Sequence, residues 1–353
     1  MPRALRPPAA LFQDERPLPA LPPCVHYAGT PARMHKALEL QSRLGGVFDL
    51  ACDCEDGAPV GDEIAHATGV GEFIRAAPDE ARIGVRIHPA RSRVWREELR
   101  LLLQLAGERL AFITLPKAQG VVDVALALNA LQAERARLGV QRDIPLHVLI
   151  ETHGALHEVF AIAALPGVQS LDFGLMDFVS AHQGAIGAAA MKSPGQFEHP
   201  LLVRAKTELV AAALASGVVP AHNVSLALDD PEAVYADALR ARTEFGFLRM
   251  WSIHPAQIEP IVRVFTPTHE ELERAISILL AAQAAQWGPI RHQGELHDRA
   301  SYRYYWQTLV RARAAGAVVA LVAPLGERRA VLGGVGADHA AVAAGDVLEV
   351  VER

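Results

Sequence analysis

Two carboxylates offer the most direct chemistry in this sequence. Glu151 follows the apolar run Pro145-Leu146-His147-Val148-Leu149-Ile150, and Asp177 closes Gln169-Ser170-Leu171-Asp172-Phe173-Gly174-Leu175-Met176-Asp177. Each acid sits where a strand-like run gives way to a loop before a helix. They are 26 positions apart, the length of about one strand–helix unit. In a parallel α/β protein the carboxyl ends of the strands carry the active site. Two acids on neighbouring strands there form half of a site for a hard divalent cation. Mg²⁺ takes one or two protein carboxylates and completes its shell with water and substrate oxygens. Either acid alone could instead cap a helix or pair with an arginine.

Further candidates fall at other predicted strand ends. Arg86 lies in Val85-Arg86-Ile87-His88-Pro89. A guanidinium on a buried strand needs an anionic partner, because an unpaired buried charge is costly. That partner is either a structural aspartate or a substrate carboxylate. The run Cys52-Asp53-Cys54-Glu55-Asp56-Gly57 concentrates three acids. They repel one another unless a cation, an arginine or a shared proton relieves them, or unless they form a solvated loop. Lys117, after Leu115-Pro116, can pair with that cluster or form a Schiff base. His88, His153, His222 and His254 also lie at strand ends. His153 and His157 have the spacing of a zinc pair on one helix face, without the H-E-x-x-H pattern. His254 precedes Pro255, and proline suits a first helical position.

These residues need a scaffold that gathers strand ends. Strand signals occupy 24–28, 47–53, 82–88, 111–116, 145–151, 169–174, 219–226 and 248–253. Helical signals occupy 32–44, 61–77, 93–106, 121–138, 154–164, 197–216, 231–245 and 256–265. Eight strand–helix units in about 250 residues are what a (β/α)8 TIM barrel requires. The first turn, Ala28-Gly29-Thr30-Pro31, lacks the G-x-G-x-x-G of a dinucleotide-binding open sheet. The expected organisation is a Pro-rich N-terminal arm at 1–23, a catalytic barrel at 24–265, a helical lid segment at 266–315 and a tail at 316–353. Within the lid, Thr268–Ala285 reads as helix, Trp287–Asp298 as loop and 299–314 as helix; the tail could form a few short strands.

Composition narrows the classes. The 353-residue chain is 51% hydrophobic with a net charge of −6, so no global field favours nucleic acid or an anionic membrane. Four lysines, Lys36, Lys117, Lys192 and Lys206, leave arginine to carry most of the positive charge. Cys24, Cys52 and Cys54 suit packing rather than a disulfide framework or a zinc site. No apolar run is long enough to span a bilayer. Prolines at Pro2, Pro7, Pro8, Pro17 and Pro19 oppose a targeting helix, so the expectation is a cytoplasmic enzyme.

The motifs occur in an order that resembles the HpcH/HpaI aldolase and citrate lyase β-subunit superfamily, in particular its malyl-CoA and citramalyl-CoA lyase-like branch. The matching segments are Gly29-Thr30-Pro31-Ala32-Arg33-Met34, Asp53-Cys54-Glu55-Asp56, Val85-Arg86-Ile87, Leu115-Pro116-Lys117, Ile150-Glu151-Thr152, Phe173-Gly174-Leu175-Met176-Asp177 and Ile253-His254-Pro255-Ala256-Gln257. The resemblance implies a barrel that assembles as trimers or hexamers, with Mg²⁺ (or Mn²⁺) on Glu151 and Asp177. It makes Arg86 the clamp for a substrate oxygen and Glu55 and Asp56 substrate-orienting acids. Arg33 and Lys117 become candidates for the CoA phosphates, with His254 beside them at the mouth. Gly294-Glu295-Leu296-His297-Asp298 is similar to a segment that lends an aspartate to a neighbouring subunit, which makes Asp298 the candidate. The implied reaction is retro-Claisen cleavage, or the reverse condensation, of a β-hydroxyacyl-CoA. Two other readings use the same barrel: a CoA-independent aldolase acting on a free 2-oxo acid such as pyruvate, and an inactive scaffold subunit. The sequence departs from the family pattern at Met176, at His88, at Ala300, in the long Ser180–Glu198 insertion and in the tail.

Overall fold

Eight short runs of mostly buried residues form the strands. They are β1 (Cys24–Ala28), β2 (Phe48–Asp53), β3 (Ile83–Arg86), β4 (Leu110–Leu115), β5 (Leu146–Ile150), β6 (Val168–Phe173), β7 (Val219–His222) and β8 (Arg249–Ser252). Parallel strands covered on both faces read as nearly continuous apolar runs. Each pairs in parallel with the next, and Cys24, Val25 and His26 of β1 pair with Met250, Trp251 and Ser252 of β8 to close the ring. This computed structural model, which describes residues 7–12, 17–322 and 329–333, therefore contains the (β/α)8 barrel that the strand count predicts.

Side-chain alternation along each strand divides the core in two. Val25, Tyr27, Ala51, Phe112, Leu149, Ala221 and Trp251 cluster within the barrel. Phe48, Leu50, Leu102, Leu171 and Leu209 belong to the larger cluster between strands and helices. The same alternation, continued upward, turns Asp53, Arg86 and Glu151 toward the barrel axis at the carboxyl end. Two strands are shorter than their apolar runs suggest: β3 stops at Arg86 and β7 at His222. The helix expected at 154–164 is two short ones, His153–His157 and Val159–Ala163.

The described residues fall into two compact units, one spanning Pro22–Phe265 and the other combining the described residues up to Leu21 with those from Thr266 onward. In the second, helices His269–Ala284 and Arg299–Ala314 bury Leu272, Ile276, Leu279, Trp306 and Leu309. Capping boxes open both, Thr268 with Glu271 and Asp298 with Ser301. The predicted loop between them contains an antiparallel hairpin, Ile290–His292 with Glu295–His297. Its turn residues Gln293 and Gly294 have φ of 49° and 88°, as a tight two-residue hairpin turn requires. The Gly-, Pro- and His-rich composition concealed two three-residue strands. Within the predicted N-terminal arm, Pro7–Phe12 is helical, and Ala10, Leu11 and Phe12 join the same buried cluster. In the tail, Val318–Val322 and Arg329–Gly333 pair antiparallel, and the positions after 333 lie outside the described residues.

Candidate active site

The carboxyl ends of the barrel strands surround a cavity of about 680 Å³. Glu151 and Asp177 both line it. Glu151 follows β5 and is 2% exposed. Its Oε1 accepts the Lys117 N–H at 2.6 Å. The next residue, Thr152, caps its own helix and donates to Ala118 O at 2.6 Å, so the loops after β4 and β5 are stitched together around Glu151. Burial, with the Asp177 charge adding to it, pushes the Glu151 carboxyl up to about 8. Asp177 sits in the first turn of helix Leu175–Ala181 with its side chain 38% exposed.

Between them Gly174 leaves a notch. A Cβ built there would stand 2.0 Å from Glu151 Oε2, so any other residue would displace the carboxylate. The donor set is two acids at the mouth of an open cavity, one of them held in a charge-hostile position beside the other. That combination fits a hard divalent ion with substrate and water in its remaining positions. No cluster of three or more His, Cys, Asp or Glu suited to a metal occurs among the described residues.

Arg86 closes β3 opposite Asp53, its register partner on β2. Nε donates to Asp53 Oδ1 at 2.7 Å and Nη2 to Asp53 Oδ2 at 2.5 Å, while Nη1 lies 3.3 Å from Glu55 Oε2. Burial works against the guanidinium charge, and the Asp53 carboxylate outweighs it, so the Arg86 pKa is raised. Asp53 is fixed in turn by backbone N–H groups of Glu55 and Gly57, at 3.0 and 2.9 Å. The Tyr27 ring packs against the guanidinium, whose carbon is 5.3 Å from the ring centroid. Of the two partners left open by sequence, the structure shows the aspartate. Asp53 holds Arg86 from one side, and the residue still lines the cavity with two of its five donors unengaged.

Lys117 relieves the acidic cluster. Its ammonium donates to Glu55 Oε1 and to Asp56 Oδ2, the latter at 2.7 Å, and lies 3.8 Å from Asp177 Oδ1. Burial opposes the lysine charge, but these acids hold its pKa above the ordinary range. Of the two sequence readings, the geometry shows the ion pair with the acidic cluster. Burial raises Glu55, whereas at Asp56 the Lys117 contact overcomes burial and lowers the carboxyl. The lysine backbone has φ of 49°, a left-handed conformation that a non-glycine residue adopts at a cost. The strain lets one residue give its N–H to Glu151 and its ammonium to the opposite acids, and such outliers concentrate at functional sites.

Arg33 and His254 also line the cavity. His254 caps the turn Pro255–Gln257, its Nδ1 accepting the Ala256 N–H at 3.4 Å. Asp298 belongs to the other unit, where Oδ1 caps helix Arg299–Ala314 by accepting Ala300 N–H at 3.0 Å. Other strand-end histidines have structural work: His88 bonds Glu98 through its ring at 3.0 Å, and His153 bonds Ala181 O at 3.1 Å. Met176, where an acid is expected, is 40% exposed on the cavity wall. All three cysteines are buried and free.

Sequence reasoning missed three wall residues. Lys36 lies one helical turn from Arg33 on helix Pro31–Arg43, so the i, i+3 spacing of two cations was the available signal. Tyr27 and Trp251 stack with centroids 4.8 Å apart, which no local pattern announces.

Comparison with known proteins agrees with this geometry. The profile of the HpcH/HpaI aldolase/citrate lyase family matches residues 51–255. An L-malyl-CoA/beta-methylmalyl-CoA lyase of Cereibacter sphaeroides is 28% identical over 311 residues, covering 83% of this chain and 95% of that protein. A crystal structure described as a citrate lyase from Burkholderia xenovorans is 54% identical, with a TM-score of 0.77 over 89% of this chain and 97% of that one. The Mycobacterium tuberculosis protein CitE, solved with magnesium, acetoacetate and coenzyme A, shares the fold at 22% identity and a TM-score of 0.61, over 83% of this chain and 99% of that one. Among the described residues no helix is long and apolar enough to cross a membrane. With the profile spanning more than half of the sequence and the barrel-mouth acids in place, this chain is a carbon–carbon lyase and belongs to the HpcH/HpaI aldolase/citrate lyase family.

Proposed function

We propose that this protein cleaves, or in reverse condenses, a β-hydroxyacyl-CoA such as malyl- or citramalyl-CoA, with Mg²⁺ (or Mn²⁺) held by Glu151 and Asp177. The observation that carries the reading is Glu151: a nearly inaccessible carboxyl, raised to about 8 beside a second acid, on the wall of an open cavity that Arg86 also lines. Bound there, the metal supplies Lewis-acid charge at the substrate oxygens and a template for their alignment.

The chain's own groups supply the rest. Arg86, fixed by Asp53, offers its remaining donors where negative charge develops on the departing enolate oxygen; one such donor is worth about 10²–10³ in rate. Lys117 holds Glu55 and Asp56 in place through its ammonium, so that they orient the substrate. Arg33 and Lys36 give the mouth two cations suited to CoA phosphates. In cleavage the substrate hydroxyl gives its proton to water in the cavity, its carbon becomes a carbonyl, and the electrons of the broken C–C bond pass into the thioester enolate. That enolate carbon then takes up a proton, a role we assign to Asp298 of a second copy in a trimer or hexamer.

Glu151→Ala with Asp177→Ala should abolish Mg²⁺ binding by calorimetry and malyl-CoA cleavage together while circular dichroism stays unchanged; an active double variant ends the metal reading. Parallel assays with free 2-oxo acids separate a CoA-dependent lyase from a CoA-independent aldolase. Mixing inactive Asp298→Asn and Glu151→Ala subunits should restore part of the activity if the site is shared.

A further inference from the structure

Asn223 stands on the cavity wall with an unused acceptor. It follows β7, is 1% exposed, and its Oδ1 has no hydrogen-bond partner. Strand register places it. Ile150 pairs with Phe173, and Asp172 with Ala221. One further step up the barrel puts Glu151, Gly174 and Asn223 in a single inward-facing layer. Gly174 contributes no side chain to this layer, and all three residues line the cavity.

The amide cannot turn over. Its Nδ2 donates to Val224 O at 2.8 Å and to Gln196 Oε1 at 2.9 Å. A backbone carbonyl only accepts, so the NH₂ must face it. Gln196 is oriented just as firmly, because its Nε2 donates to the Asp237 carboxylate and to Ser193 Oγ, both at 3.2 Å. Its Oε1 is therefore the acceptor that meets Asn223, and it also accepts from Lys206 Nζ at 3.3 Å. Lys206 in turn donates to His222 Nε2 at 2.8 Å, since His222 Nδ1 gives its proton to Asn223 O at 3.0 Å. Every donor in this chain has a defined direction, and the sum leaves Oδ1 of Asn223 free. Ser193 and Gln196 come from the 180–198 insertion, which thereby acquires a task.

A fixed carbonyl-type oxygen recognises a donor. Carboxylate, thioester and 2-oxo groups have none; the hydroxyl of a β-hydroxyacyl substrate has one. We propose that Asn223 is a specificity residue whose Oδ1 accepts a hydrogen bond from that hydroxyl, and that Gln196 is the positioning residue that holds it. This inference rests on the lyase reading above and deepens it. A site built to meet a hydroxyl rejects the analogue that lacks one, because the buried acceptor is then left unpaired.

The test uses the Mg²⁺-loaded full chain and a matched pair: malyl-CoA, and succinyl-CoA, which is the same skeleton without the hydroxyl. The wild-type protein should bind malyl-CoA about ten-fold more tightly than succinyl-CoA. Asn223→Ala should erase that preference while the inhibition constant of succinyl-CoA stays within about two-fold, and Gln196→Ala should reduce it in the same selective way. Asn223→Ser, which keeps a small acceptor, should retain part of it. An unchanged preference in Asn223→Ala, or an equal loss for both thioesters, overturns the assignment. A wild-type protein that cleaves malyl-CoA yet shows no preference sinks the Asn223 role alone; one that binds neither thioester takes the lyase reading with it.

Discussion

The barrel contains the same ion pair twice, and one copy lines the cavity. Asp49 and Asp53 lie four residues apart on the inner face of β2; Arg82 immediately precedes β3 and Arg86, four residues on, ends it. At the lower end Asp49, fully buried, receives Arg82 Nε and Arg249 Nη2, both at 2.7 Å. Burial alone would raise the Asp49 carboxyl; the two guanidiniums outweigh it and hold it below the usual carboxylate range. At the upper end Asp53 meets one guanidinium, its other contacts are backbone N–H groups, and Arg86 faces the cavity. Identical residue types at identical spacing meet different surroundings: the lower carboxylate is shared by two guanidiniums, whereas the upper pair lines the cavity that Glu151 and Asp177 also line.

The largest expected effect breaks the lower pair. Arg249 is 1% exposed, and Arg249→Met should cost about 3–5 kcal/mol in urea unfolding, because it leaves Asp49 under-compensated in the barrel interior. Turnover per folded molecule should not change. Arg86→Met should do the reverse, lowering kcat by roughly 10²–10³-fold with a smaller stability loss. If the two variants lose activity alike, position along the strand does not separate the roles.

A smaller effect sharpens what openness requires. Gly174→Ala places a methyl group where Glu151 Oε2 now rests and 2.6 Å from Glu151 Cβ, so the carboxylate must move. Mg²⁺ affinity by calorimetry should fall by about 10–100-fold, the range seen when the support of a ligand is disturbed. An alanine variant that binds the ion normally would show that Glu151 need not lean into the notch.

Much of this contrast was legible in sequence, and its failures have physical causes. Strand ends locate Glu151, Asp177 and Arg86 because apolar runs in a parallel sheet stop where the loops begin. The repeated four-residue offset of Asp49 and Asp53 against Arg82 and Arg86 was present too, although which pair lines the cavity is not a local property. Asn223 was overlooked for a specific reason: the run Val219–Leu226 reads as one strand, whereas the strand stops at His222, and the true end is where the polar residue stands. The hairpin at 290–297 was concealed because three-residue strands are too short for an alternating pattern to register.

The smallest prediction concerns a third buried carboxylate, which needs no opening at all. Glu98 is fully buried and accepts the His88 backbone N–H at 2.8 Å and its ring Nδ1 at 3.0 Å. The hydrogen bond to Glu98 raises the His88 pKa in the folded protein. A raised histidine contributes stability that is fully present below its unfolded pKa, about 6.5, and is lost as pH climbs through the folded value. The stability gap between wild type and His88→Ala should therefore be larger at pH 6 than at pH 9, by about 1 kcal/mol in urea titrations. Equal gaps would mean that His88 holds Glu98 as a neutral ring, and that charge pairing in this barrel is confined to the arginines and Lys117.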